Sequence, residues 1–163
     1  MSRSQALAKQ SVLDAPATQH MVALLNQSLA DTLDLAYQTK QAHWNVKGRQ
    51  FYSLHLLFDQ LHGQLITFLD EFDERAVTLS GSPHGPVRAA GRAARLDEYP
   101  LEARASPIRL NTLVDRYGEY ATRMRKAGHQ ANRLKDHGTA DLYASVSHAV
   151  DRALWMLTDY QEA

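Results

Sequence analysis

The sequence predicts an all-α protein, a four-helix bundle whose middle connection is a long crossover carrying a short helix. Apolar residues recur at helical spacing through four long stretches, and no alternating strand pattern competes with them. The first and last connections are short and the middle one is long, which makes the second and third long helices parallel. A simple up-down bundle with a loose middle loop is the competing reading.

Residues 1–16 have weak periodicity and end at Pro16, so they are expected to form a mobile N-terminal arm ahead of a bundle domain spanning 17–163. From Thr18, a suitable N-cap, the pattern Val22, Leu25, Leu29, Leu33, Ala36, Tyr37 predicts a first helix lasting to about Val46. Lys47-Gly48-Arg49 then makes a tight turn, with Gly48 free to take a left-handed conformation. A second helix is expected from about Ser53 to Leu79, stopped by Gly81. The segment SGSPHGP breaks regular structure, and VRAAGRAARL is the one helical patch before Pro100 and Pro107. Two further helices are expected, about Arg109 to Asp136 and about Thr139 to Tyr160, divided at Gly138.

Composition narrows the function. The chain has 163 residues, 18 Lys+Arg against 18 Asp+Glu, and no cysteine. A net charge of zero gives the whole molecule no strong field for nucleic acid or anionic lipid. The missing cysteines exclude disulfides, thiolate metal sites and thiol catalysis. The start MSRSQALAKQ has no apolar run suited to a signal sequence, and no later segment reaches about 18 uninterrupted apolar residues. A soluble, cytoplasmic protein is expected.

The second helix carries the chemistry. Its core stripe is Leu54, Leu57, Phe58, Leu61, Leu65, Phe68, Leu69 and Phe72, and beside it His55, Asp59, Asp70 and Glu74 fall within an arc of about 100°. That arc also holds Leu56, Gly63 and Ile66, so it reads as a partner surface with ionisable groups set into it. Asp59 and Asp70 are about 16 Å apart along the rise, too far to share one ion within a chain.

Two antiparallel copies remove the difficulty. The midpoints of 59 and 70 and of 55 and 74 both fall between Gln64 and Leu65, so a two-fold axis there sets His55 towards the mate's Glu74 and Asp59 towards its Asp70. Gly63 beside the axis permits close approach. His43 lies about as far before the turn as His55 lies after it, which holds the two imidazoles level.

Two neutral nitrogens with three carboxylates suit Fe(II) and Mn(II), accommodate Zn(II), and favour the harder Fe(III) after oxidation. Crowding three like charges is expected to raise at least one carboxyl pKa and to make metal loading fall at acid pH. A lone His/Asp pair four residues apart is common on helices, so the mirrored spacing carries the reading. His20, His62, His84, His129, His137 and His148 lack such an arrangement and are expected to be surface or locally hydrogen-bonded.

The stretches KQAHWNVKG, FYSLHLLFDQLHGQLITFLDEFDERAVTLSG, DRY and TADLYASVSHAVDRALWML resemble the Dps family, the mini-ferritins or DNA-binding proteins from starved cells, over about residues 18–160. The pattern His-x11-His-x3-Asp-x10-Asp-x3-Glu is similar to that family's inter-subunit ferroxidase signature, whereas larger ferritins use Glu-x-x-His, which this chain lacks. The resemblance implies a ferritin-like fold and a homo-oligomer of two-fold dimers built into a hollow dodecamer. It further implies Fe(II) bound by His43, His55 and Asp59 of one subunit with Asp70 and Glu74 of its mate. Oxidation to Fe(III), preferentially by hydrogen peroxide, would deposit a ferric mineral inside and protect the cell from oxidative damage.

On the same resemblance Trp44 supplies an electron when only one iron is present, with a packed amphipathic aromatic as the plainer reading. Asp115 and Glu119 match the neighbourhood of the family's acidic three-fold pores, with solvated helix charge as the alternative. DNA binding in the family commonly uses a lysine-rich arm. Here MSRSQALAKQSVLDAP offers only Arg3, Lys9 and the amino terminus, so tight binding is not expected, although Arg88, Arg92 and Arg95 on the crossover leave weak, salt-sensitive contact and nucleoid association open. The competing functions are a nucleoid-coating DNA-binding protein with incidental metal sites, and zinc sequestration without oxidation.

Overall fold

The structure, a computed structural model, describes residues 13–102 and 106–162. Four long helices and one short one make up its regular structure: α1 (Ala15–Asn45), α2 (Phe51–Thr78), α3 (Val87–Ala93), α4 (Ser106–Arg133) and α5 (His137–Glu162). The expected bundle with a crossover helix is present.

α1 starts earlier than the sequence suggests. Asp14 is its N-cap, accepting from Ala17 N at 2.9 Å, and Pro16 lies in the first turn, where a missing N–H leaves nothing unpaired. Thr18, the expected cap, sits inside the helix and donates to the Asp14 carbonyl at 2.9 Å. Of the expected arm, residues 1–12 lie outside the described residues.

Between α1 and α2, Gly48 takes φ +93°, as its place in the turn requires. The end of α2 is built differently from the expectation. Ser80 takes the left-handed conformation at φ 63° and donates to Val77 O, while Gly81 N donates to Ala76 O, both at 2.8 Å. Gly81 is needed for space: a Cβ there would lie 2.5 Å from Val22 Cγ1. At the α4–α5 turn Lys135 is the left-handed residue (φ 60°), and Gly138 falls inside α5, where a Cβ would come within 3.1 Å of Arg75 Nη2. Asp136 caps α5 through Thr139 N (3.1 Å) and pairs with Arg75 at 2.7 Å, tying the two hairpins together.

Contacts between helices set the topology. α1 runs antiparallel to α2, with Ala36 against His62 and Lys40 against Asp59. It is antiparallel to α4 as well, with Thr32 against Tyr120 and Asn45 against Arg109. α2 is antiparallel to α5, pairing Phe72 with Tyr143 and Arg75 with Thr139. α2 and α4 are therefore parallel, as the long connection requires. Of the expected α2 stripe only Leu69 is incompletely buried, and each fully buried Leu or Phe contributes about 1.5–3 kcal/mol.

The crossover is latched to α1. The fully buried Asp31 accepts from Arg95 N (2.9 Å), Nε (3.2 Å) and Nη2 (2.5 Å). A buried carboxylate without such partners would be costly. Gln27 and Gln38 donate to Ala93 O and Asp97 O, and from α4 Arg123 and Arg116 donate to Arg95 O and Asp97 O. The loose-loop alternative is thereby ruled out, and Arg95 is committed to Asp31 instead of standing free beside the exposed Arg88 and Arg92.

Inside the bundle, α1 presents Ser28, Thr32 and Thr39 to the hydroxyls of Tyr143, Tyr120 and Tyr117 at 2.8, 2.7 and 3.2 Å. Thr32 and Thr39 donate their own hydrogens to Ser28 O and Leu35 O, so Tyr120 and Tyr117 are the donors to them. Burial pushes all three phenols well above the ordinary tyrosine range. A group raised in the folded state gives stability that is full below its unfolded pKa and lost as pH rises through the folded value. Unfolding free energy should therefore fall above about pH 10, by about 1.4 kcal/mol per pH unit for each buried tyrosine. Tyr120→Phe should cost about 1 kcal/mol at neutral pH and make the alkaline loss shallower by one proton. Denaturant titration across pH reads both, and an unchanged alkaline slope contradicts this account.

Candidate metal centre

The end of α1 and the start of α2 bring His43 and His55 face to face. Their rings stack with centroids 3.7 Å apart at 24°. His43 Nδ1 donates to the His55 carbonyl at 2.8 Å, and His55 Nδ1 donates to the His43 carbonyl at 3.1 Å. Carbonyl oxygens only accept, so both Nδ1 atoms carry hydrogen and the lone pairs of the neutral rings are at Nε2. Fixing one ring nitrogen to free the other is the usual means of orienting imidazole ligands. Only 8 % of His43 is exposed, and Phe51 closes over His55 with ring centroids at 5.1 Å.

Asp59 follows His55 by one helical turn and is paired with Lys40. The hydrogen bond from Lys40, more than its charge, holds the Asp59 carboxyl below the usual carboxylate range despite some opposing desolvation. The crowding expected to raise a carboxyl pKa is thus absent at Asp59 within one chain. The sequence reading missed Lys40, yet the hairpin register that levels His43 with His55 levels Lys40 with Asp59 too.

Asp70 and Glu74 lie towards the other end of α2, both exposed. Among the described residues neither side chain takes part in a hydrogen bond or ion pair. Asp73 beside them was also missed: one of its carboxylate oxygens is buried without a partner, and desolvation, then the charge of Asp70, raise its pKa. Among the described residues no three His, Asp or Glu side chains of the single chain could hold a metal together. The chain joins the two histidines, keeps Asp59 a turn away, and leaves Asp70 and Glu74 remote.

Between these ends the outer face of α2 exposes Leu56 (50 %) and Ile66 (39 %), and a Cβ on Gly63 would meet nothing within 4 Å. Trp44 is 61 % exposed, so its reading as a packed aromatic does not hold within the chain. Asp115 is exposed, whereas Glu119 is engaged by Arg123. His62 donates to Ala36 O at 2.9 Å and His20 bonds Gln130 at 3.0 Å, local roles as expected.

No helix among the described residues is long and apolar enough to cross a membrane. A family model for the ferritin-like domain matches residues 22–163. The DNA protection during starvation protein of Agrobacterium fabrum is 39 % identical over 145 residues, covering 89 % of this chain and 90 % of its own. Among solved structures, DpsC from Streptomyces coelicolor is similar with a TM-score of 0.87 and 28 % identity, over 91 % of this chain and 87 % of the other. The Dps protein of Vibrio cholerae O1, described as a member of a broad superfamily of ferritin-like diiron-carboxylate proteins, is similar with a TM-score of 0.85 and 26 % identity, over 91 % and 92 %. The chain belongs to the Dps family of ferritin-like proteins.

Proposed function

We propose that two copies of this chain pair antiparallel along α2 and form two iron-oxidising sites, each with His43, His55 and Asp59 from one copy and Asp70 and Glu74 from the other. The observation that carries this reading is the reciprocal histidine pair, whose Nδ1 hydrogens are both consumed by backbone and whose Nε2 atoms are left for a ligand. The exposed apolar residues between the histidine and carboxylate ends of α2 support the pairing, since a two-fold contact there buries them.

Iron is the substrate. Two Fe(II) give one electron each to hydrogen peroxide, its O–O bond breaks, and with two protons the products are two Fe(III) and two waters. Both electrons leave together, so hydroxyl radical is not released. The chain contributes position and charge: neutral nitrogens suit Fe(II), and the carboxylates stabilise the harder Fe(III) product. Until a cation arrives Lys40 neutralises Asp59, which avoids an unpaired charge at the face. Trp44, exposed beside His43, is placed to give an electron when only one iron is bound. The ferric product is stored as mineral in a hollow dodecamer in the cytoplasm, in keeping with the iron-storage character of the family.

DNA coating has less support. Arg95 is tied to Asp31, and the net charge is zero. Zinc sequestration would use the same ligands but consume no peroxide.

Mixing Fe(II) and peroxide with the wild type and with the double variant His55→Ala, Asp59→Ala should show oxidation slowed at least about tenfold in the variant at unchanged assembly. Equal rates would remove the enzyme reading, and zinc bound tightly with peroxide untouched would replace it. Iron loading should also fall about tenfold or more between mildly alkaline and mildly acidic buffer, because metal binding releases protons from its ligands. Lys40 keeps Asp59 ionised through that range, so Asp59→Asn should weaken loading at every pH without moving the midpoint. Anaerobic Fe(II) titration reads this, and pH-independent loading would contradict it.

A further inference from the structure

Away from the α2 face, a cavity of about 610 Å³ lies between the outer side of α1 and the chain following α3. We propose that it binds a flexible organic cation of the alkyl-polyamine class, held by Asp34 and Gln38 against the rings of Tyr37, Trp44 and Tyr99. The cavity shares Trp44 with the proposed iron chemistry, and its binding is measured without iron, so either reading can fail without the other.

Gln38 is the decisive residue. It lines the cavity and is 4 % exposed. Its amide nitrogen donates to Asp34 Oδ1 at 3.2 Å and to Asp97 O at 3.0 Å. Both partners accept, which fixes the amide orientation and makes the unpartnered buried atom its oxygen. The Tyr99 hydroxyl, on the same cavity, is buried without a partner as well. Buried polar atoms left unmet are uncommon, so two on one cavity point to a ligand that meets them.

The charge on the walls selects its sign. Asp34 and Glu98 line the cavity, and among the described residues that line it there is no Lys, Arg or His. Burial, with the nearby charges of Asp31 and Glu98, pushes the Asp34 carboxyl up against the opposing effects of the Gln38 hydrogen bond and Arg116. A bound cation would relieve that. A divalent metal suits the space poorly, because it needs a shell of oxygens at about 2.0–2.6 Å and most of the wall is aromatic or apolar. An ammonium group has hydrogens to give to the Gln38 oxygen and Asp34, its charge suits the faces of Tyr37 and Trp44, and its methylenes suit the apolar wall.

The test is calorimetric titration of the assembled protein with spermidine at constant ionic strength, with magnesium chloride as control. The expected result is saturable binding of one spermidine per chain, weakened about tenfold by Asp34→Asn and unaffected by Asp141→Asn, an exposed acid on α5. Tyr99→Phe, which deletes one unpartnered hydroxyl and little else, should weaken binding several-fold and serves if Asp34→Asn fails to fold. In a Trp155→Phe background Trp44 is the remaining tryptophan, and spermidine should change its fluorescence. No saturable heat, as when a neighbouring copy fills the cavity, overturns the proposal. So does magnesium matching spermidine, or equal loss in Asp34→Asn and Asp141→Asn.

Discussion

The antiparallel register of α1 against α2 is the constraint on which the rest of the molecule depends. Set by the turn at Gly48, it places Ala36 opposite His62, Lys40 opposite Asp59 and His43 opposite His55. At the last of these levels each imidazole is held by the backbone of the opposite helix, so ring orientation depends on the whole hairpin and not on side-chain rotamers alone. Two stacked rings with fixed tautomers form the pre-organised half of the proposed site. The carboxylate half is displaced along the same helix, where no internal contact could bring it back.

The remaining structure keeps that hairpin rigid and its outer face uncovered. The second hairpin grips α1 from within through three tyrosine hydroxyls and meets α2 through Arg75, Asp136 and Thr139. The crossover crosses on the other side of α1, where the half-exposed Arg95 reaches the buried Asp31, and without it that carboxylate would lose the partner that offsets its burial. A chain held on those sides leaves the polar and apolar stripe of α2 as the surface available to a second copy. The fold and the proposed site thus have a common cause: the crossover is long because α2 and α4 run parallel, and that topology keeps it off the α2 face.

Much of this was legible in the sequence. Helical spacing identified the long elements, and the α2 stripe was read almost residue for residue, because burial along a helix follows a simple period. The ends were harder. Pro16 looked like a stop but serves a first turn, and Ser80 and Lys135, not glycine, take the left-handed positions at two helix ends. Gly81 and Gly138 make room for Val22 and Arg75, a demand of packing that local sequence does not display. The histidine pair followed from register, yet its Nδ1–carbonyl exchange did not, since backbone acceptors leave no mark in sequence. Lys40 was not legible because lysine is not a metal-ligand type, and its pairing with Asp59 appears only once the hairpin register is seen. Asp31 was missed because a buried carboxylate is recognisable only once Arg95, far along the chain, is seen to reach it.

Shared sites between copies make a quantitative demand on mixed assemblies. Co-assembly of one subunit carrying His43→Ala and His55→Ala with another carrying Asp70→Ala and Glu74→Ala tests it directly, since each parent particle should be inactive. If the ligands come from opposite copies, every mixed dimer keeps one whole site, and random pairing should restore about a quarter of wild-type iron oxidation. Mixed particles as inactive as either parent would contradict the account, because they would mean that all the ligands must belong to a single chain.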